Sequence, residues 1–442
     1  MILAASANTT PSNLVVAILV AGVLAAVSVP IIRRVARTEG DSRLVPLLTW
    51  CLVLHFLSAP TQIFVVDHVY HGVSDFTRYV QQGSRLAPNF RAGQFTLAGS
   101  GIKTILGDGS VSIAAGVVFT IVGVNELAGF LVFAWLSFIA TIFFYRAFSI
   151  TFPGADKRRY ALMLFLLPSL IYWTSDVSKE AIVLLSLGVA AYGCARVLES
   201  MRGGYPMIVL GFLIGIAIRP NELALLVGAF TVAMLFRGRL QGQLRSARRL
   251  SSFVFLAIAL AVSAVLTVKF IHTSSGSLSG TLSQIGKNNS GAGAGFGSSN
   301  VAFSANPLLY PRDIYTVLFD PLPITARSAT QLIAAAENTI ILALVLTSLR
   351  RLRLVWRVAR ARPYVMLCLV YSVAFLYAFA ALGNLGLIER ERTLLFPFFL
   401  VVLAFPVSPK GEPAAYPWEQ QRRKRRDRYR AVGPAPVAGS RT

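Results

Sequence analysis

Cysteine is scarce in this chain of 442 residues, which contains only three. Cys51, Cys194 and Cys368 each fall within an apolar run, and their positions share no spacing typical of a metal site. Disulfide-rich domains and zinc sites use several cysteines at characteristic spacings. We therefore expect neither a disulfide nor a metal site from these residues.

Charged residues are also sparse, at 14% of the chain, and 19 acidic residues are outnumbered by 42 basic ones. The net charge of +23 would by itself suggest nucleic acid, but much of the arginine excess lies between apolar runs and in the C-terminal tail. Basic residues in those places orient membrane proteins with their positive loops inside. The pattern therefore disfavours nucleic acid as a partner and favours a membrane topology.

Apolar residues make up 55% of the chain, the mean hydropathy is +0.64, and apolar runs recur over most of its length. A hydrocarbon core requires about 17 to 25 apolar residues per helix. The first run, Leu14 to Ile32, follows a segment without Lys or Arg and precedes Arg33 and Arg34, which is the reverse of a signal peptide's charge order. We expect it to be retained as a span with its N-terminus outside. The preference for arginine over lysine hints at a GC-rich bacterial genome, so we expect a bacterial cytoplasmic (inner) membrane.

Alternating basic clusters predict an all-α, polytopic integral membrane protein with about eleven transmembrane helices and a cytoplasmic C-terminus. The expected spans are residues 14–32, 45–66, 124–145, 160–172, 181–197, 207–218, 223–236, 253–271, 330–349, 364–382 and 393–407. They form a transmembrane domain, residues 1–407, with outer loops at 67–123 and 272–329. Val111 to Val122 is expected to be a short interfacial helix in the first of these loops.

The C-terminal tail, residues 408–442, is basic and is expected to be cytoplasmic and disordered. Contact with anionic lipid headgroups and a purely topological signal are equally good explanations for its arginines.

This topology collects four polar groups on the outer face. The first contains Asp75, which follows a span and is flanked by Phe76 and Tyr79. A partly desolvated carboxylate can take a proton from an attacking hydroxyl, so we assign Asp75 as a catalytic base and Tyr79 as a substrate-binding residue. The alternatives are a helix cap, an ion pair with Arg78, or Asp67 as the base.

Lys179 and Glu180 form the second group, in a polar turn between two apolar runs. Charged residues at such a place suggest function in a polar cavity or at the surface. Lys179 could hold a phosphate, and Glu180 could orient the lysine or the acceptor, which is the catalytic role we assign to it. The alternative is a solvated turn with Glu180 in the first turn of a helix, where its charge suits the dipole.

The remaining two groups are Arg219 with Glu222 and residues 389–392, and the positive-inside rule does not explain the arginines of the second. Arg219 is the basic residue at the tip of a hairpin, and Arg390 and Arg392 precede the last span. At headgroup level Arg390 or Arg392 is a candidate phosphate ligand, without a choice between them, and Arg219 is a candidate substrate-binding residue. The alternative for Arg390 and Arg392 is pairing with Glu389 and Glu391, which adds little stability at a surface.

The sequence gives little support for a metal site or a nucleotide site. His68 and His71 have a helical spacing of three, but two histidines near an interface are more often interfacial residues than ligands. No glycine-rich phosphate loop occurs on the inner face. The sequence therefore identifies no certain cofactor and leaves a divalent cation as an open alternative.

Five pieces of the sequence follow one another in a set order. They are Asp75, residues 121–125 (IVGVN), residues 167–169 (LPS), residues 211–219 (GFLIGIAIR) and a basic residue before residues 395–397 (LFP). Their order resembles the GT-C superfamily of membrane glycosyltransferases, especially the branch of protein O-mannosyltransferases and bacterial lipid A aminoarabinose transferases. The resemblance covers most of residues 45–407 by pattern rather than identity. The chain looks more like uncharacterised bacterial membrane proteins with the same Pro-Ser, Lys-Glu and Arg-x-Arg pieces, a relation that implies no function.

The resemblance implies transfer of a sugar from a polyprenyl-phosphate donor to a cell-envelope acceptor at the extracytoplasmic face. Asp75 would deprotonate the acceptor, and Lys179, Arg219 or Arg390 would stabilise the leaving lipid phosphate. The implied partners are the lipid-linked sugar and membrane lipids. Two rivals stay open, namely a polysaccharide polymerase or ligase of the O-antigen type and a lipid or solute transporter.

Overall fold

The computed structural model describes residues 11–69, 71, 74–240, 310–326, 329–379 and 385–407, and within these ranges the chain is all-helical without strands. A 3-10 turn follows the fifteenth helix at Arg392–Leu394. The helices are α1 (Pro11–Glu39), α2 (Leu44–His68), α3 (Asp75–Arg91), α4 (Asp108–Val122), α5 (Glu126–Thr151), α6 (Arg158–Leu166), α7 (Pro168–Tyr172), α8 (Lys179–Leu198), α9 (Gly204–Gly215), α10 (Pro220–Leu240), α11 (Tyr310–Phe319), α12 (Ala329–Thr347), α13 (Leu349–Ala361), α14 (Pro363–Phe379), α15 (Leu385–Glu391) and α16 (Phe396–Ala404).

Five of the described helices are long and apolar enough to cross a membrane, namely α1, α2, α5, α8 and α10. The bent pair α12 and α13 makes six if it is counted as one span. Three shorter apolar helices, α4, α9 and α14, add to these. The chain therefore has the helices of a multi-pass membrane protein, whereas the count of eleven spans stays a prediction.

The described helices differ from the expected boundaries in three places. Residues 160–172 are two short helices rather than one span, because Pro168 has no backbone N–H to continue the first. The arginine-rich connection that follows the span at 330–349 is itself the helix α13. In the first loop, α4 contains the expected interfacial helix, but the amphipathic helix α3 before it was not predicted.

Three predicted segments lie outside the described residues. They are the expected span at residues 253–271, residues 272–309 of the second loop and the tail at 408–442.

Helix α8 is the centre of the bundle, since it packs along both α5 and α9. Its contact with α9 is close because small residues face one another. A Cβ atom on Gly211 would lie 2.7 Å from the backbone nitrogen of Ala190 and from the carbonyl oxygen of Ser186. These are backbone atoms that cannot move aside, so the two helices fit only with glycine at position 211.

Gly211→Ala is therefore expected to destabilise the protein by about 1 to 3 kcal/mol through overpacking. Its matched control is Gly228→Ala in α10, where an added Cβ meets nothing within 4 Å. The control should be neutral or gain up to about 1 kcal/mol from helix propensity. Apparent unfolding temperatures in detergent measure both, and an equal response would show that the α8–α9 contact is not tight.

Opposite ends of the bundle have different polar contacts. At one end, Lys157 Nζ lies 2.6 Å from Glu39 Oε2, and Arg159 Nη2 donates to Ser348 Oγ at 2.8 Å. The other end holds the first turns of α3, α4, α8 and α10, together with the end of α15. We call this second end the cluster end, because a network of charged side chains lies there.

Candidate functional site

The cluster end brings together acidic and basic side chains from distant parts of the sequence. We call this set the charge cluster. Its members are Asp75, Arg78, Asp108, Lys179, Glu180, Arg219, Arg390 and Glu391. Six salt bridges link them into two groups, which come from four helices and from the corner between α9 and α10, so the position of each depends on how those helices pack.

Glu180 is the centre of the charge cluster. Ser178 caps α8 by accepting from the Ala181 N–H at 3.4 Å, which places Glu180 in the first turn of that helix. Its side chain is fully buried. Arg219 Nη2 lies 2.6 Å from Glu180 Oε1, and Arg390 Nη2 lies 2.7 Å from Glu180 Oε2. One carboxylate therefore holds two guanidinium groups beside each other.

Arg219 is held at the corner between α9 and α10, where its backbone N–H donates to Gly215 at 3.0 Å. Pro220 then begins α10, a position at which the missing N–H costs nothing. The Arg219 guanidinium forms a two-pronged ion pair with Glu391, in which Nη2 donates to Oε1 at 2.6 Å. Arg219 is thus nearly neutralised by Glu180 and Glu391 together.

Asp75 occupies the first turn of α3, which packs by its apolar face against α4 and α5. Phe76 makes an edge contact with Phe130, with ring centroids 4.8 Å apart. Asp75 Oδ2 lies 3.1 Å from Arg390 Nη1, and the aspartate side chain is 52% exposed. Arg390 therefore pairs with one accessible carboxylate, that of Asp75, and one buried carboxylate, that of Glu180.

Asp108 begins α4 and forms a second branch of the charge cluster. The backbone N–H of Gly107 donates to Ala217 O at 2.7 Å, which fixes this turn beside the α9–α10 corner. Asp108 Oδ1 lies 2.5 Å from Lys179 Nζ and accepts from the Tyr79 hydroxyl at 3.1 Å, and Oδ2 pairs with Arg78. Desolvation would raise the pKa of Asp108, but Lys179 and Arg78 hold it below its ordinary value.

Nearby carboxylates raise the pKa of both Arg390 and Tyr79. Desolvation opposes the charge on Arg390, yet Glu180, Asp176 and Asp75 together raise its pKa above the ordinary value. Burial raises the pKa of the Tyr79 hydroxyl, and Asp75 and Asp108 raise it further. Tyr79 therefore stays a neutral hydrogen-bond donor, while Arg390 stays a cation at any physiological pH.

Asp176 lies in the turn before α8 and is buried, with Oδ1 bonded to no described residue. Desolvation raises the pKa of Asp176 to about 7, although Arg390 nearby opposes the rise. This carboxyl therefore titrates close to neutral pH.

We expect Asp176→Asn to flatten the pH dependence of stability. From the ordinary pKa of 3.8 up to about 7, the folded protein retains the Asp176 proton that the unfolded chain has released, so stability falls as pH rises through this window. Asparagine removes that slope. Burial likewise raises the pKa of Glu389 to about 7, but that group contributes equally to both proteins. Unfolding temperatures at several pH values measure the difference, and identical slopes would contradict it.

Glu222 lies close to the charge cluster but does not join its ion pairs. It is fully buried in the first turn of α10, and the Tyr371 hydroxyl from α14 donates to its Oε2 at 3.5 Å. It is thus another buried carboxyl at this end of the bundle, beside Glu180, Asp176 and Glu391.

Arg392 is separated from Arg390 by one residue but contacts different groups. It is fully buried, its Nη2 donates to Asn338 Oδ1 at 2.6 Å, and its Nη1 lies 3.5 Å from Leu318 O. These contacts join the 3-10 turn to α11 and α12. The structure therefore does not bring Arg392 to the charge cluster, and its assignment as a phosphate ligand stays a prediction.

The other predicted site residues do meet in the structure. Asp75, Tyr79, Lys179, Glu180, Arg219 and Arg390 all lie in or against the charge cluster. Asp67, the alternative base, is exposed near the end of α2 and forms no ion pair with a described residue. His68 stacks on Phe64, with ring centroids 4.2 Å apart. No group of three or more potential metal ligands occurs among the described residues.

Sequence reasoning overlooked Asp108, which ties Tyr79 and Arg78 to Lys179. The available signal was the pair Gly107-Asp108 directly before an apolar helix, since an acidic residue favours a helix N-terminus. That signal predicts a helix start but not the partners of the carboxylate.

No protein family profile, curated protein sequence or solved structure matches this chain.

Proposed function

We propose that this protein is a membrane glycosyltransferase of the GT-C type. It moves a sugar from a polyprenyl-phosphate donor to a cell-envelope acceptor at the extracytoplasmic face of a bacterial inner membrane. The observation that supports this proposal best is the pair of guanidinium groups, from Arg219 and Arg390, held side by side on the buried Glu180.

Paired arginines suit a phosphate because a guanidinium presents two parallel donors to two oxygens. Glu180 and Glu391 are buried and keep their arginines in place, whereas Asp75 is half exposed. The phosphate of the donor therefore replaces Asp75 on Arg390. Exposed ion pairs are worth little, so this exchange costs about 1 kcal/mol or less.

Displacement from Arg390 frees Asp75 to act as the base. The acceptor hydroxyl gives its proton to Asp75, its oxygen bonds to the anomeric carbon, and the bond from that carbon to the phosphate oxygen breaks. The electron pair leaves with the polyprenyl phosphate, and the configuration at the anomeric carbon inverts. Arg390 and Arg219 stabilise the charge that develops on the leaving phosphate.

Lys179 and Tyr79 both bind Asp108, in the second branch of the charge cluster. Lys179 is a compact charge that can approach a second anionic oxygen, whereas Tyr79 is fully buried and donates its hydroxyl to Asp108. Their shared contact with Asp108 orders both groups before the substrate binds.

The test combines two measurements on purified protein. Radiolabelled polyprenyl-phosphate sugar should bind, and the label should move into an acceptor fraction prepared from membranes. Uptake of the sugar lipid into sealed vesicles without any glycosyl transfer would instead favour a transporter.

A polysaccharide polymerase or ligase is the second candidate, because the cations form two groups. Arg219 and Arg390 lie on one side, and Lys179 and Arg78 lie on Asp108. Two such groups would suit the two phosphates of a polyprenyl diphosphate. Competition between monophosphate and diphosphate donors separates these candidates, since the proposed transferase should prefer the monophosphate.

A further inference from the structure

Helix α13 has a composition that the charge cluster does not explain. Its sequence contains arginines at positions 350, 351, 353, 357 and 360 and no acidic residue. Successive residues of an α-helix lie about 100° apart, so Arg350, Arg353, Arg357 and Arg360 share one face. All four are exposed. On the opposite face Val358 and Ala359 are buried, and the helix packs against α14 and α16.

Hydrogen bonds at the corner between α12 and α13 fix the direction of α13. The helix is bent by 65° from the described part of α12, which is apolar. Ser348 lies at the bend, where its hydroxyl donates to Leu344 O at 2.5 Å and accepts from Arg159 Nη2 at 2.8 Å. Arg351 Nε donates to Phe405 O at 3.1 Å, which ties the first turn of α13 to the residue after α16. If α12 crosses the bilayer, a helix at this angle runs closer to the membrane surface than to its normal.

The arginine face is bordered by apolar groups that are exposed as well. Leu349 and Trp356 are each 48% exposed, and both lie on one edge of that face. The Arg360 guanidinium lies 4.8 Å from the Trp356 ring centre, which keeps the two side chains together. Tryptophan beside arginine is typical of helices at the boundary between headgroups and acyl chains.

Positive charge on this face is not neutralised by the rest of the described chain. None of the ion pairs among the described residues involves Arg350, Arg353, Arg357 or Arg360. Burial lowers the pKa of Arg351, and the like charge of Arg159 nearby lowers it further. Lipid phosphates are anions at the depth where an interfacial helix lies.

We infer that α13 is a binding surface for anionic phospholipid headgroups, on the side of the membrane opposite to the charge cluster. The four arginines contact lipid phosphates, and Trp356 and Leu349 enter the upper acyl region. This surface is independent of any glycosyl transfer, because it rests on a helix at the other end of the bundle.

Fluorescence quenching by brominated lipid tests the inference at Trp356. The full protein is reconstituted into vesicles with equal amounts of phosphatidylglycerol and phosphatidylcholine, of which only one carries bromine. The contribution of Trp356 is the difference in quenching between the parent protein and the Trp356→Phe variant. We expect brominated phosphatidylglycerol to quench Trp356 more strongly than brominated phosphatidylcholine.

A variant with Arg350, Arg353, Arg357 and Arg360 all changed to glutamine should lose this preference. Each neutralised arginine lowers the enrichment of the anionic lipid by about fivefold, the equivalent of about 1 kcal/mol. Four lysines at the same positions should keep the preference, since lysine retains the charge. The matched control is Arg34→Gln with Arg37→Gln, which removes basic charge from α1 and should leave Trp356 quenching unchanged. Equal quenching by the two lipids in the parent protein would overturn the inference, as would an unchanged preference in the four-glutamine variant.

Discussion

Asp75→Asn is expected to lower sugar transfer by about 10²- to 10⁴-fold, the usual contribution of a general base, while the protein stays folded. Asparagine matches aspartate in shape but cannot take the acceptor's proton. The fold should tolerate the change, because Asp75 is half exposed, Arg390 keeps its buried partner Glu180, and ion pairs open to solvent contribute about 1 kcal/mol or less. Initial rates of label transfer from a polyprenyl-phosphate sugar measure the effect.

Asp67→Asn is the matched control for this variant. It removes the same charge from the neighbouring segment, but Asp67 is exposed and forms no ion pair with a described residue. Its transfer rate should stay close to that of the parent protein. Normal transfer by Asp75→Asn would remove Asp75 from the role of base, and a loss confined to Asp67→Asn would assign the base to Asp67.

The second large effect is expected for Glu180→Gln, which should reduce both stability and transfer. Glu180 is fully buried between Arg219 and Arg390. Removing one partner of a buried ion pair leaves uncompensated charge and costs about 3 to 5 kcal/mol. Transfer should fall as well, because the two guanidinium groups repel each other once the carboxylate between them has lost its charge.

Lys179→Met is the control for Glu180→Gln, because it removes a charge from the adjacent residue in the same helical turn. The Lys179–Asp108 pair is more exposed, at 24% and 39%, so its loss should cost about 1 kcal/mol or less of stability. Unfolding temperatures in detergent compare the variants. Equal, small losses would mean that Glu180 is not the anchor of the charge cluster.

Hydropathy and charge predicted the long apolar helices because each is a continuous apolar run bounded by polar residues. The helices α1, α2, α5 and α8 cover the runs expected as spans. The same reasoning predicted one span over residues 160–172. It missed the break at Pro168, because that break comes from the backbone geometry of proline and not from hydropathy. It also treated α3 and α13 as loops, because both are polar enough to fall below a hydropathy threshold. Their amphipathic pattern was the signal that could have found them.

For the candidate site, the sequence predicted which residues share one face, but not which of them touch. Asp75 and Arg390 are 315 residues apart in the sequence, and only the packing of α3 against α4 and α5 brings the aspartate to the arginine. Arg390 and Arg392 were equivalent candidates by sequence. The end of α15 and the 3-10 turn after it direct one to Glu180 and the other to Asn338.

The most direct measurement is the affinity of purified protein for a radiolabelled polyprenyl-phosphate sugar in the parent, Arg390→Gln and Asp75→Asn forms. Charge-assisted hydrogen bonds contribute about 1.5 to 3 kcal/mol, so Arg390→Gln should weaken binding by at least about tenfold. Asp75→Asn should bind as tightly as the parent or more tightly, because it removes the group that competes with the phosphate for Arg390. Affinities that are the same in all three proteins, or binding that Asp75→Asn abolishes, would contradict a phosphate site at Arg390.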